Sequence, residues 1–272
     1  MSLVYAGVCC HAPGITGRTE MADPELVEGL HSAFDRQRKA IEQSGTEAIV
    51  LVSSEHFANF FMDNMPTFTM GIAEEYEGPI ENPDWLGIGY NKVPANVDLS
   101  LSLLREVMQT VDVGYAQEWK FDHGTSVPLH FLTPDYHTPI IPVNINCQHP
   151  PFSPLHRNWE LGKALRRAID KVPDKIALIG TGGTSHWPCT PDSGKINEEW
   201  DRRFIAQVVA KDKNKLLSYN DEQTRIDAGQ GAGEMRTSIC IAAATQDQKG
   251  EVWYLEPIPI FATSCLIATL FQ

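Results

Sequence analysis

The sequence predicts an α/β fold in one domain, with a central, mostly buried β-sheet between layers of helices and an active site at the strand ends. Short, continuous apolar runs such as residues 48–52 are typical of strands that are buried on both faces. Amphipathic segments with helical spacing separate these runs. The 272 residues contain no repeat or linker that would divide the chain, so residues 1–272 are predicted to form a single catalytic domain.

Predicted strands and helices alternate along the chain. Residues 3–10 form the first strand, which stops at a turn containing Pro13 and Gly14. The first helix begins at Asp23 and Pro24, a favourable N-cap followed by proline in the first turn. Further strands are predicted at residues 48–52, 66–72, 138–145, 176–179 and 251–257, and further helices at 96–110, 158–171, 196–210 and 235–244. The acidic stretch 74–93 is predicted to be a long loop over the site.

The composition argues against two kinds of partner. The chain carries 35 acidic and 22 basic residues, which gives a net charge of -13. An acidic surface repels nucleic-acid phosphates and anionic lipids, so neither nucleic acid nor a membrane is an expected partner. No stretch resembles a signal peptide or a membrane span, and the protein is expected to be cytoplasmic. Its six cysteines are therefore expected to be free and mostly buried.

Histidines recur at the ends of predicted elements. His11 follows the first strand and His56 follows the strand at residues 48–52. In open α/β sheets, ligands bind just outside the carboxyl ends of the strands. His123 lies in an Asp-His-Gly turn, which is predicted to be a fixed loop, and His186 ends a glycine-rich turn. Prolines follow that turn and GK[ST] is absent, which disfavours a phosphate-binding loop. Its small residues are expected to let the backbone approach a ligand.

Glu234 stands at the start of the predicted helix 235–244, after a glycine-rich segment. A carboxylate there can serve the helix dipole, but the flexible glycines favour an approach to another group. Two imidazoles and one carboxylate form the facial arrangement of non-haem Fe(II) oxygenases. The same ligand types also suit catalytic zinc, and the residues alone leave the metal open. An HExxH sequence is absent, which excludes a zincin helix.

Five segments in order along the chain resemble the class III extradiol ring-cleavage dioxygenases, typified by the catalytic subunit of protocatechuate 4,5-dioxygenase. They are His11-Ala-Pro, Ser-Glu-His56-Phe-Ala-Asn-Phe-Phe, Asp122-His123-Gly124 with Val127-Pro128, Gly182-Gly183-Thr184-Ser185-His186-Trp-Pro188, and Gly231-Ala-Gly-Glu234. The resemblance implies that His11, His56 and Glu234 ligate Fe(II). It also implies that His186, and then His123, serve in acid–base catalysis and substrate orientation.

The same resemblance implies a reaction. Fe(II) binds a catechol-type diol or an aminophenol, O2 is the co-substrate, and the ring opens next to the diol to give a semialdehyde acid. A homo-oligomer, with or without a small second subunit, is expected. Glu55 and Thr184 depart from the residues common in the family and are expected to affect substrate choice. Arg18, Arg157 and Arg236 are candidates for pairing with a substrate carboxylate, although surface charge is their simpler interpretation.

Two alternatives remain open from the residues. One is a zinc-dependent relative, either a hydrolase or a dioxygenase-like enzyme. The other is a non-catalytic binding protein on the same scaffold. Such a binding protein would not need His123 and His186, so their presence favours the enzyme.

Overall fold

The computed structural model describes residues 2–272, and its parallel central strands determine where the site lies. The strands are β1 (Leu3–Cys9), β2 (Ala48–Ser53), β3 (Phe68–Gly71), β4 (Glu75–Gly78), β5 (Asn91–Pro94), β6 (Gly114–Ala116), β7 (Ile140–Ile145), β8 (Ile176–Thr181), β9 (Glu251–Ile258) and β10 (Thr263–Phe271). Within residues 2–272, eight strands form a mixed sheet in the order β6-β3-β7-β2-β8-β1-β10-β9. The strands β4 and β5 pair with each other in a separate sheet. The neighbours β7, β2, β8 and β1 are parallel, so their carboxyl ends meet at one edge.

Helices cover both faces of this sheet. They are α1 (Gly14–Gly17), α2 (Pro24–Gln43), α3 (Pro83–Leu86), α4 (Val97–Val107), α5 (His123–Leu132), α6 (Leu155–Ile169), α7 (Glu198–Ala210), α8 (Lys213–Leu216), α9 (Asp221–Ala228) and α10 (Met235–Ala244). The helices α4, α6, α7 and α10 pack on one face, and α2 and α5 pack on the other. Side chains of β2 alternate between the two cores, with Val50 and Val52 on the first face and Ile49 and Leu51 on the second. The predicted α/β fold with helices on both sides of the sheet is confirmed.

Local sequence signals place several boundaries correctly. Asp23 caps α2 by accepting a hydrogen bond from the backbone N–H of Glu25 at 2.9 Å, and Pro24 is the first helical residue. The helix α10 has the predicted bounds. Most other predicted strands and helices are present with ends shifted by a few residues, as expected where ends fray.

Two stretches differ from the sequence prediction. Residues 74–93, predicted as a loop, contain the β4–β5 hairpin and the short helix α3, because strands of four residues are too short to show a clear alternation. The Asp122-His123-Gly124 turn, predicted as a fixed loop, is the beginning of α5. Pro128 lies inside α5 and disfavours a helix locally, but burial of most of this helix in the core outweighs that propensity.

The structure bears on two predictions from composition. Within residues 2–272, no helix combines the length and apolar character needed to cross a bilayer. The cysteines are free thiols, and all of them are buried except Cys189. The expectation of free, mostly buried cysteines is confirmed.

Candidate metal centre and active site

The three predicted metal ligands converge at the carboxyl edge of the sheet. His11 follows β1, His56 follows β2, and Glu234 stands directly before α10. The Nε2 atoms of the two histidines lie 3.3 and 3.1 Å from one oxygen of Glu234, Oε1. Because β8 lies between β1 and β2, the two histidines flank the end of a single strand. This arrangement brings together residues that are 223 positions apart in the chain.

A hydrogen-bond acceptor holds the other ring nitrogen of each histidine. The Thr181 hydroxyl donates to the carbonyl of Gly124 at 3.0 Å, so it accepts from His11 Nδ1–H at 2.5 Å. Burial disfavours the charge of Asp122, but hydrogen bonding with His56 outweighs burial and lowers the pKa of Asp122 to about 2. This ionised carboxylate accepts from the His56 backbone N–H at 2.6 Å and from its Nδ1–H at 3.0 Å. When the two imidazoles are neutral, each therefore turns the lone pair of Nε2 toward the shared carboxylate oxygen, as metal-binding histidines do.

This donor set fits a divalent cation. Two imidazole lone pairs and a carboxylate oxygen in such close contact repel one another unless a positive charge lies among them. Burial opposes a charge on His56, but hydrogen bonds to Asp122 and Glu234 raise its pKa to about 10. Burial also opposes the charge of Glu234, yet His11 and His56 hold the pKa of its carboxyl well below the usual value. The cluster therefore favours a cation, either a proton or a metal ion.

His123 lies directly beside this cluster. Its ring centroid is 4.0 Å from that of His56 and 5.8 Å from that of His11. Glu81, between β4 and α3, accepts from the His123 backbone N–H at 2.9 Å and from its Nδ1–H at 2.7 Å. Burial, followed by the charge of His56, lowers the pKa of His123, although Glu81 opposes this shift. His123 is therefore a neutral imidazole with its Nδ1 already bound.

His186 occupies a cradle formed by glycines. A Cβ atom at Gly231 would lie 2.1 Å from His186 Nε2, and one at Gly183 would lie 2.7 Å from its Cε1. The Nδ1–H donates to the carbonyl of Thr184 at 2.9 Å. The free Nε2 then lies 3.9 Å from Oε2 of Glu234. Small residues in this turn are expected from the sequence to let the backbone approach a ligand, whereas in the structure Gly183 and Gly231 make room for the histidine ring.

The side chain of Glu234 does not cap the helix that follows it. Only 1% of this residue is exposed, and its Oε2 accepts from the backbone N–H of Gly183 at 2.5 Å. Its Oε1 faces the two histidines. The contacts of Glu234 therefore favour the predicted approach to another group over a role at the helix dipole.

Sequence reasoning missed several residues that orient these histidines, namely Glu81, Thr181 and Asp201. Asp201 of α7 is fully buried and accepts from the backbone N–H and hydroxyl of Ser185 at 2.7 and 2.9 Å. It also accepts from the hydroxyl of Ser264 at 2.6 Å, so it ties the loop of His186 to β10. The sequence does contain a signal for Asp201, because this carboxylate lies on the apolar face of its helix and must therefore be buried. No comparable sequence pattern marks Glu81 or Thr181.

Three residues expected to affect the substrate make hydrogen bonds or an ion pair within the protein. One oxygen of Glu55 accepts from two backbone N–H groups in the loop that follows β2, at 2.6 and 2.8 Å. The Thr184 hydroxyl donates to the carbonyl of Ser264 at 3.1 Å. Arg236 is fully buried and pairs with Asp221 at 2.7 Å, so the surface-charge interpretation of this residue is wrong.

The other two arginine candidates for pairing with a substrate carboxylate reach the surface. Arg18 is exposed and Arg157 is partly exposed. Of the sequence-predicted site residues, the structure thus brings together His11, His56, His123, His186 and Glu234.

The chain belongs to a family of ring-opening enzymes. Residues 5–264 match the family described as the catalytic LigB subunit of aromatic ring-opening dioxygenase. Because this match covers nearly the whole chain, the predicted membership of the class III extradiol dioxygenases is confirmed.

Relatives of known name include 2,3-dihydroxyphenylpropionate/2,3-dihydroxicinnamic acid 1,2-dioxygenases. The chain is 34% identical to that of Cupriavidus necator over 185 residues, which are 67% of this chain and 57% of the relative. The aligned part thus spans little more than half of that relative. With the enzyme of Paraburkholderia xenovorans it is 27% identical over 297 residues, with 92% of each chain covered. The crystal structure of an uncharacterized Escherichia coli K12 protein matches with a TM-score of 0.57 and 18% identity over 87% of this chain and 91% of that one, which shows the fold alone.

Proposed function

We propose that residues 1–272 form a single catalytic domain of a non-haem Fe(II)-dependent extradiol dioxygenase. The enzyme opens a catechol-type ring next to its diol and gives a semialdehyde acid. The observation that carries this proposal is the convergence of two histidine nitrogens on one carboxylate oxygen, with two more histidines beside them. The family match and relatives named for aromatic diols support the reaction class and the substrate class.

His11, His56 and Glu234 would hold Fe(II) through two imidazoles and one carboxylate. When bound, the ion supplies the redox chemistry by which a diol and O2 react, and three protein ligands leave coordination positions open. The partners Thr181 and Asp122 keep the Nε2 lone pairs of the two histidines directed at this position.

His186 is the first candidate for proton transfer. Its Nδ1–H is bound to a backbone carbonyl, so the neutral ring has one free acceptor, Nε2, next to the metal ligand Glu234. This nitrogen takes the proton from a substrate hydroxyl. It later returns a proton to an oxygen atom that comes from O2. Imidazole suits both steps because a ring nitrogen can accept a proton and release it again.

His123 is the second candidate. Its ring packs against His56, and the low pKa that burial gives it keeps the ring neutral at physiological pH. A neutral His123 orients a substrate hydroxyl through Nε2 without adding a positive charge beside the metal ion. His123 packs against His56 and His186 lies near Glu234, so both histidines border the proposed ligand cluster and would be able to contact one substrate.

The first experiment is oxygen uptake by protein reconstituted with Fe(II) under anaerobic conditions and offered catechols, gallates and aminophenols. Uptake with a new absorbing product supports ring cleavage. The variant His186→Ala should retain its iron and lose most of its turnover. Loss of iron from this variant would contradict the proposed role, and absence of uptake by iron-loaded wild-type protein on every ring would contradict the proposed function.

A second ligand set has one observation in its favour. One nitrogen atom from each of His11, His56 and His123 lies within 4.8 Å of the others. Three histidines are a common set for catalytic zinc, which would make the protein a zinc-dependent relative. His123→Ala should then abolish metal binding, whereas the proposed iron centre predicts that the metal content of this variant stays unchanged. Metal analysis of both proteins after anaerobic purification decides between the two sets.

A further inference from the structure

Two carboxylates at the start of α5 serve two different histidines. Asp122 occupies the N-cap position of this helix, but its side chain makes no capping hydrogen bond and binds His56 instead. Glu81 contacts the first residue of the helix, His123, and accepts from both its backbone N–H and its Nδ1–H. The helix N-terminus also favours a negative charge at this position.

We propose that Glu81 is a positioning residue that fixes the ring orientation and tautomer of His123. This inference rests on the proposed function, because it assigns a purpose to the orientation of the His123 ring next to the proposed metal ligands. A carboxylate oxygen at 2.7 Å holds the hydrogen on Nδ1, so Nε2 remains the acceptor. The second bond, to the backbone N–H of the same residue, ties the carboxylate to the helix and limits rotation of the pair.

The segment that carries Glu81 is anchored on both sides. The backbone N–H of Ile80 donates to the carbonyl of Phe121 at 2.9 Å, next to Asp122. On the other side, the carbonyl of Leu86 accepts from the Thr16 hydroxyl at 2.5 Å. Glu81 therefore reaches His123 from a fixed position on the β4–α3 connection, and a change in this connection would be transmitted to the His123 ring.

Other contacts of the His123 ring do not select a tautomer. They are aromatic contacts with His56, with His11 and, at 6.3 Å between ring centroids, with Trp85. Aromatic packing restricts the plane of an imidazole but is nearly indifferent to which nitrogen carries the hydrogen. The hydrogen bond from His123 Nδ1–H to Glu81 supplies that selection, as the bond to the carboxylate does in histidine-dependent hydrolases.

The test compares Glu81→Leu, which removes the acceptor, with Glu81→Gln, which retains an amide oxygen at the same distance. Glu75→Gln is the matched control, because Glu75 is a half-exposed carboxylate of the same hairpin, paired only with Lys92. Circular dichroism and metal content show that each variant is folded and loaded. Glu81→Leu should lower kcat about 10- to 100-fold, the range typical of removing a partner that orients a functional histidine, with KM changed much less. Glu81→Gln should stay close to the wild-type rate.

A second readout does not depend on turnover. Nitrogen NMR of isotope-labelled histidine, recorded on the full chain without added metal and assigned with His123→Asn, reports which nitrogen of His123 carries hydrogen. The Nδ1–H form should dominate in the wild-type protein and in Glu81→Gln, and a mixture should appear in Glu81→Leu. An unchanged tautomer in Glu81→Leu would overturn the proposal even if the enzyme cleaves rings, and the NMR result stands even if the proposed reaction fails.

Discussion

The two halves of the candidate site are held in different ways. His11 and His56 follow β1 and β2, which lie on either side of β8 in the middle of the sheet, and Thr181 at the end of β8 binds His11 directly. His123 and His186 lie on segments outside the sheet, where Glu81 binds the first ring and two glycines make room for the second. The proposed metal-binding half, with His11 and His56, therefore depends on the core of the fold, whereas the proposed acid–base half, with His123 and His186, depends on a few local contacts. Substitutions in one half should therefore change metal binding, and substitutions in the other half should change turnover without changing metal binding.

The largest expected effect comes from Glu234→Gln, because the neutral amide removes the charge that both histidines face. We expect loss of bound metal and a fall in ring-opening activity on the order of a thousandfold or more, as for other essential groups. Metal analysis and oxygen uptake measure the two effects. A Glu234→Gln protein with full metal content would instead support the three-histidine ligand set.

Gly231→Ala should affect only the half of the site that contains His186. Its Cβ would overlap the His186 ring, with a separation of 2.1 Å from Nε2, so the ring must leave its cradle. We expect kcat to fall about 100-fold, within the usual range for general acid–base catalysis, with metal content unchanged. Gly89→Ala is the matched control, since a Cβ there meets no atom within 4 Å. An active Gly231→Ala enzyme would argue against a catalytic role for His186 in this position.

Substitutions of two buried carboxylates should distinguish the two halves through smaller changes in metal affinity and in kcat. Asp122→Asn weakens the partner of His56 and should lower metal affinity about 10- to 100-fold. Asp201→Asn weakens the bonds that hold Ser185 and should lower kcat about tenfold, the scale of one hydrogen bond, with metal affinity unchanged. Metal titration and steady-state kinetics on both variants form the comparison. The same pattern of defects in both would show that the two halves are not independent.

The smallest expected effect is the pH dependence of stability and of metal binding. In the absence of metal, the pKa of His56 rises from 6.5 to about 10, so the stability from its pairing is present below pH 6.5 and is lost as the pH rises toward 10. Metal binding at a pH between these values should therefore release a proton. Thermal unfolding across this range, with and without metal, tests the stability, and calorimetry in buffers of different ionisation enthalpy counts the protons. Stability without metal that stays constant from pH 6.5 to 10 would contradict this assignment.

Strand ends could be predicted from the sequence, and with them the metal-binding half. The apolar run before His56 and the turn after His11 indicate where two parallel strands stop, and such ends meet at one edge. Glu234 could be predicted because glycines precede a clear helix. These signals are local, since each depends on residues adjacent to the functional side chain.

The residues that orient the acid–base half could not be predicted in the same way. Glu81 lies 42 positions from His123, and the hairpin that brings it there has strands too short to show a periodic pattern. The start of α5 was also missed, because glycine, β-branched residues and Pro128 are poor helix formers and tertiary burial decides the outcome. Contacts between distant segments leave no local pattern in the sequence.

The distance along the chain between His11 and Glu234 has a consequence for biosynthesis. These two residues are 223 positions apart, so the complete set of proposed ligands exists only after the segment that contains Glu234 has been synthesised. Loading of the proposed iron must then wait for the synthesis of Glu234, and a chain that terminates before this residue lacks a ligand. In this way the order of ligands along the chain would keep redox-active iron out of unfinished proteins.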